Sequence, residues 1–199
     1  MTNRSFLKAG LLALSAFALS ACLGGRSPSV QFYNLSAIEA ESSTGDMSSE
    51  PAIGVGPAIF PKSLRRSQVI IRTGPNTVEL DEFNRWSGSL SADFLDALGA
   101  NLAALLGTER VSVYPAEAIY PLDYRIMLDV DRFDGAPGGS LVLSVRWTVS
   151  RGDDGTVLAV KQSRIETPVT GDGVADLVRA HDAAVADLSR RMADAIRAM

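Results

Sequence analysis

Residues 124–131 (YRIMLDVD) and 141–150 (LVLSVRWTVS) decide the fold. In the first run Tyr124, Ile126, Leu128 and Val130 alternate with Arg125, Met127, Asp129 and Asp131. In the second, Leu141, Leu143, Val145, Trp147 and Val149 alternate with Ser144, Arg146, Thr148 and Ser150. A period of two sends every apolar side chain of such a run to one face of a strand. Thr156–Glu166 supplies a third run with weaker alternation, and Gly135–Gly139 and Gly152–Gly155 supply the turns between them. The three strands make a meander with one dry face and one wetter face.

A dry face needs a cover, and the sequence offers two helices. Over Ser87–Leu106, Leu90, Phe94, Leu95, Leu98, Leu102, Leu105 and Leu106 recur at three- and four-residue spacing. Ser87 is placed to cap its start and Gly107 to end it, while Gly99 inside it costs about 1 kcal/mol and implies close packing there. The second helix runs from about Gly173 to Met199, with Val174, Leu177, Val178, Val185, Leu188, Met192 and Ile196 on its apolar side. Asp172 and Asp176 at its start and Arg190, Arg191 and Arg197 near its end complement the helix dipole. Upstream, Val30–Leu35, Ile53–Ile59 and Val111–Tyr114 read as strands, and Gln68–Arg72 and Thr77–Leu80 as a strand pair around Thr73–Asn76. Glu39–Glu50 is polar and Ser-rich and reads as a loop. The expected fold class is α+β, a mainly antiparallel or mixed sheet with two long amphipathic helices packed on it, in one domain over residues 30–199.

Residues 1–21 have a different character. Arg4 and Lys8 precede the uncharged, mostly apolar stretch Ala9–Ala21, as in a secretory signal. As a helix those 13 residues reach about 20 Å against a hydrocarbon core of about 30 Å, too short for a comfortable span. Leu19-Ser20-Ala21-Cys22 looks like the lipobox of bacterial lipoproteins, with small residues before a thiol that accepts diacylglycerol. Cys22 is the only cysteine of the 199 residues, which removes internal disulfides and leaves the lipid anchor as its reading. Several acyl chains anchor stably where one is marginal. Residues 22–29 form a tether of at most about 24 Å. Leu23 follows the cysteine, and by resemblance to sorting in Gram-negative lipoproteins this favours the outer membrane, facing the periplasm.

After cleavage before Cys22, 17 basic residues face 23 acidic ones. A net acidic chain without a basic run makes nucleic acid an improbable partner. The hydrophobic share of 46% and the charged share of 21% are those of an ordinary globular protein. The residues advertise little chemistry. His181, the only histidine, lies beside the apolar stripe of the last helix and reads as a core-margin residue rather than a base. With one histidine and its cysteine committed to lipid, zinc lacks its usual ligands. Asp129 with Asp131, and Asp153 with Asp154, read as solvated carboxylates. There is no GxxxxGK[ST] or GxSxG motif. No cofactor, no metal and no enzymatic activity are expected. The run Asp81-Glu82-Phe83-Asn84-Arg85-Trp86 is the odd one: two aromatics, two acids and an arginine in six residues. It is either an ion-paired structural corner or, through Arg85 and Trp86, an anchor for a partner.

From Val55-Gly56-Pro57 and Pro61 through Gln68-Val69-Ile70, Arg72 and Asn76, the chain resembles the PqiC-type lipoproteins of ABC-type transport. Glu82 with Arg85-Trp86, Asn101-Leu102-Ala103, Val111 to Tyr114-Pro115, Asp123-Tyr124-Arg125, Phe133, Gly135 and Arg146-Trp147 extend the resemblance over nearly the whole mature chain. One departure is the long Glu39–Glu50 loop. The resemblance implies a non-enzymatic auxiliary component of a lipid-trafficking system, docking a periplasmic MCE-domain protein at the outer membrane, with a homo-oligomeric ring as one arrangement. Arg72, Glu82, Arg85 and Trp86 become the candidates for its contact or structural corner. The alternative is an envelope lipoprotein that itself holds a lipid or other apolar ligand, which requires a deep apolar cavity.

Overall fold

A computed structural model describes residues 29–38 and 50–199. Cys22, the leader and positions 39–49 of the polar loop lie outside those residues. The elements are β1 (Gln31–Tyr33), β2 (Ile53–Ile59), a 3-10 turn (Lys62–Leu64), β3 (Gln68–Gly74), β4 (Thr77–Trp86), α1 (Leu90–Leu106), β5 (Val111–Val113), β6 (Tyr124–Gly135), β7 (Ser140–Arg151), β8 (Val157–Pro168) and α2 (Val174–Arg197).

The expected meander is present as β6–β7–β8, antiparallel, paired from Tyr124↔Arg151 to Gly135↔Leu141 with a register shift between Val130 and Arg132, and from Ser140↔Pro168 to Ser150↔Val157 with one between Val149 and Ser150. Its alternation does what the period requires. Ile126, Leu128, Val130, Leu141, Leu143, Val145, Trp147 and Val149 are all buried, under α1 and α2. The sheet as a whole is mixed, with eight strands. On its other flank β6 has two neighbours in succession. β2 runs parallel to its first half, from Ile53↔Tyr124 to Ile59↔Asp129, and carries β5 beyond it. β3 joins only at the far end, through the single pair Ile71↔Gly135, and carries β4 and then β1. The sheet therefore forks along β6.

The six-residue run 81–86 is strand rather than a turn into the helix. β4 continues through Trp86 because it pairs on both sides there, with Gln68 of β3 and with Gln31–Tyr33 of β1. Glu82–Asn84 form a bulge in that strand, between Asp81↔Val69 and Arg85↔Gln68. Asp81 Oδ1 holds the bulge by accepting from the backbone N–H of Phe83 (2.9 Å) and of Asn84 (3.0 Å). The first helix consequently starts three residues later than expected, at Leu90 with Ser89 rather than Ser87 as its N-cap.

The core centres on Phe94, edge-on to Phe60 at 5.3 Å and to Phe133 at 5.6 Å. Large side chains fully buried in this way contribute about 1.5–3 kcal/mol each. Gly99 does mark a close approach: a Cβ there would lie 2.5 Å from Val113 Cγ2. Gly107 ends α1 in the left-handed conformation, φ 66°. After β1 the chain crosses the helix layer as a strap. Ser36 N–H donates to Asp182 Oδ1 (2.9 Å), and Ile38 N–H to Asn101 Oδ1 (2.7 Å). Asn101, fully buried, passes the connection on by donating to Ser189 Oγ at 3.1 Å.

Candidate functional site

The four candidate residues fall into three environments. Arg72 stands on the outer face of the sheet at the fork. Its guanidinium grips Asp134 side-on, Nε to Oδ1 at 2.6 Å and Nη2 to Oδ2 at 2.8 Å. Arg132 adds a third bond, Nε to the same Oδ1 at 2.9 Å. Arg72 Nη1 also donates to the Pro75 carbonyl at 3.2 Å, holding the β3–β4 hairpin. Burial by itself pushes the Asp134 carboxyl up, but the bonds from Arg72 and Arg132 outweigh it and hold it below the usual carboxylate range. The clamp spans the point where only one backbone pair joins β3 to β6. Side-chain chemistry there replaces the missing ladder.

Glu82 and Arg85 form a second pair, Arg85 Nη2 to Glu82 Oε2 at 2.9 Å, on the exposed bulge. Trp86, one residue on, turns to the opposite face and is buried, edge-on to His181 at 5.3 Å. Trp86 is thus a core residue, and the corner predicted as one cluster is split across the two faces of β4. His181 lies deeper than the core margin. It is 2% exposed, packed against Phe133 with ring centroids 4.5 Å apart, its Nδ1 2.8 Å from the Leu177 carbonyl. Burial pulls its pKa down to about 4, against the opposing pull of the Leu177 and Phe133 carbonyls and of Asp134. The imidazole is thus held in the core by Trp86, Phe133 and the Leu177 carbonyl. Among the described residues no group of three or more His, Cys, Asp or Glu side chains is gathered to hold a metal. Asp129 is within 3.9 Å of Arg146, and Asp153 is held by Arg151 (2.8 Å).

A further feature escaped the sequence reading. Residues 114–123 join β5 to β6, with Tyr114 55% and Ile119 97% exposed. The loop is braced by Arg110, whose guanidinium lies 5.3 Å from the Tyr120 ring centre. Beneath it opens a groove of about 540 Å³, lined among others by Gly56, Tyr114, Glu117, Leu122, Arg125 and Asp153. No periodicity announces such a site; the only signal was Pro115 and Pro121 bracketing apolar residues with no element to belong to.

The groove and the start of β1 lie at different levels of the sheet. β1 is parallel to β4, β4 antiparallel to β3 and β3 parallel to β6, so β1 runs antiparallel to β6. The chain enters β1 from the end where β6 finishes, and the loop 114–123 caps the end where β6 begins. Inside, the space between Trp86, Phe133 and His181 amounts to about 10 Å³, room for no more than a water molecule.

The described residues thus form an α+β domain with Trp86 and His181 in its core and a groove beneath the 114–123 loop. The chain belongs to the ABC-type transport auxiliary lipoprotein component family, whose model matches residues 33–193. That is a family of transport accessories in the cell envelope, and not one of enzymes. No helix of the described residues is long and apolar enough to cross a membrane. Among solved structures the chain is similar to an uncharacterized protein, at 19% identity and a TM-score of 0.70, covering 84% of this chain and 99% of that one. It is also similar to a protein from Xanthomonas campestris, at 13% identity and a TM-score of 0.64, covering 82% and 93% respectively. At such identities the likeness establishes the fold alone. No curated protein sequence matches the chain.

Proposed function

We propose that this protein is a non-enzymatic outer-membrane lipoprotein, held by lipid on Cys22, that docks the MCE-domain component of an ABC-type lipid transport system. Family membership over residues 33–193 supplies the transport role. The observation that carries the docking reading is the two-ended layout. The described chain enters β1 at one end of the sheet, and the groove beneath the 114–123 loop lies at the other, the end that this reading turns to a periplasmic partner. The alternative, a lipoprotein that shelters its own lipid, needs a deep apolar cavity. Among the described residues the space beside His181 is about 10 Å³, too small for a lipid chain, which favours docking. A homo-oligomeric ring is compatible with this role and is part of what the experiment reads.

Affinity purification of the full lipidated protein from its own membranes is expected to recover an MCE-domain protein and the transporter ATPase. Ile119→Asp with Tyr114→Asp, both at exposed positions, is expected to release them without unfolding the domain. Recovery of neither component, together with unchanged envelope permeability on deletion, would overturn the proposal. Stoichiometric lipid retained in native mass spectrometry would favour the alternative.

A further inference from the structure

Tyr33 and Trp86 face the helices, so the register of β1 against β4 sends their neighbours Phe32 and Arg85 to the outer face as a pair. Val30 precedes β1 directly, and Phe83 stands in the bulge two residues before Arg85. All three apolar side chains are exposed: Phe32 65%, Phe83 48% and Val30 40%. The bulge that presents Phe83 is built rather than loose. Asp81 accepts from the backbone of Phe83 and Asn84, Asn84 Nδ2 donates to Asp81 Oδ2 at 2.9 Å, and the Tyr33 hydroxyl donates to Asn84 Oδ1 at 2.9 Å. One strand further, Gln68 pairs with Arg85 and is preceded by the loop that carries Lys62, Arg65 and Arg66, with Arg65 and Arg66 beside the first turn of α1. These three cations are exposed and have no acidic partner within 4 Å among the described residues. Arg65 and Arg66 each use Nε on a backbone carbonyl, of Phe60 (2.9 Å) and of Ser63 (2.8 Å).

We infer that this patch is the domain's membrane seat: Val30, Phe32 and Phe83 enter the lipid interface, and Lys62, Arg65 and Arg66 meet the phosphates of anionic headgroups. The inference rests on the reading of Cys22 as lipid anchor. Cys22 lies seven residues before Ser29, a span of at most about 24 Å, so the anchor delivers β1 to the bilayer surface before any other strand. The chemistry fits that surface. Aromatic rings belong at the headgroup level, and cations beside an inserted apolar face add attraction for anionic lipid. A ring settled on by a protein partner would leave the flanking cations without a stated counterpart. The patch also leaves the 114–123 loop, at the other end of β6, free of the membrane.

The test uses the mature lipidated protein in vesicles of phosphatidylethanolamine and phosphatidylglycerol containing phospholipid brominated along its acyl chains. Both native tryptophans are buried, Trp86 at 3% and Trp147 at 1% exposure, and give the baseline. In Phe32→Trp and Phe83→Trp the added indole is expected to lose roughly half its emission to the brominated lipid, as a ring about 5–10 Å deep in the interface would. In Ile119→Trp, at the other end, the added emission is expected to stay unquenched. Lys62→Glu/Arg65→Glu/Arg66→Glu in the Phe32→Trp background is expected to reduce the quenching. If lipidated, vesicle-bound protein shows no quenching at 32 and 83, the membrane seat is overturned. Emission at those positions that shifts to the blue with protein concentration, unquenched by the lipid, would mean a second copy covers the patch and would overturn it as well. A mass spectrum showing no diacylglycerol on Cys22, with protein that fails to float with vesicles, would instead overturn the anchor itself, and the seat with it.

Discussion

Arg72 and Arg85 both sit on the outer face of the same hairpin, and each meets an acid, yet the two ion pairs are different objects. Asp134 is gripped by two arginines and its side chain is only 9% exposed. Glu82 meets one arginine and is 57% exposed. A carboxylate taken out of water depends on its partners, because losing them leaves a buried charge unpaired. One that stays in water loses little when its partner goes. Arg72 therefore contributes to holding the sheet together at its fork, while Arg85 and Glu82 decorate a bulge whose shape Asp81 and Asn84 already fix. Both pairs join an arginine to a carboxylate, one across 62 residues and one across three; burial separates them in consequence.

The largest effect expected along this hairpin comes from the residue that faces the other way. Trp86→Ala should cost about 3–5 kcal/mol, since it empties the wall against His181. Arg85→Ala next to it should cost less than about 1 kcal/mol. Urea unfolding of both variants measures the contrast, and similar losses would break the division of β4 into a core face and a free face.

A pH profile separates the buried groups next. Between pH 6.5 and about 4 the unfolded chain takes up a proton at His181 that the folded chain refuses. Stability from this source is therefore complete above 6.5, falls as pH drops, and stops falling below about 4, by at most about 3 kcal/mol. Asp134 acts lower: its depressed folded value gives stability that is present above about 3.8 and is lost as pH falls further. His181→Gln should flatten the upper window and Asp134→Asn the lower one. If His181→Gln leaves the profile between 6.5 and 4 unchanged, the imidazole is not held neutral as its surroundings imply.

The clamp itself follows, with Asp134→Ala expected to cost about 2–4 kcal/mol, because Arg72 and Arg132 lose their shared acceptor. The counterpart, Glu82→Ala, should stay within about 0.5 kcal/mol. Amide exchange sharpens the comparison by location. Asp134→Ala should loosen β3 and β4 before β6 and β7, since the seam between them has a single backbone pair.

How far the sequence went follows from range. Alternation along Tyr124–Val130 and Leu141–Val149 specified the meander, and the stripes from Leu90 to Leu102 and from Leu177 to Ile196 specified its helical cover. These are local periods that each segment carries within itself. The chain's family resemblance was legible for a related reason, as an ordered series of such local pieces. Local patterns said nothing of the fork in the sheet. They did not show that Asp134 would meet Arg72, 62 residues away, or that run 81–86 would be strand. That outcome needed β1 on one side and β3 on the other. His181 was placed at the core margin and lies in the core, because its burial depends on Trp86 and Phe133 arriving from two strands, β4 and β6. The sequence by itself determined which segments are apolar on which side, the physics of one element and its solvent. The tertiary structure alone decided which charges leave water together and which aromatics remain in it, because desolvation belongs to no residue and to no segment, only to what is packed against it.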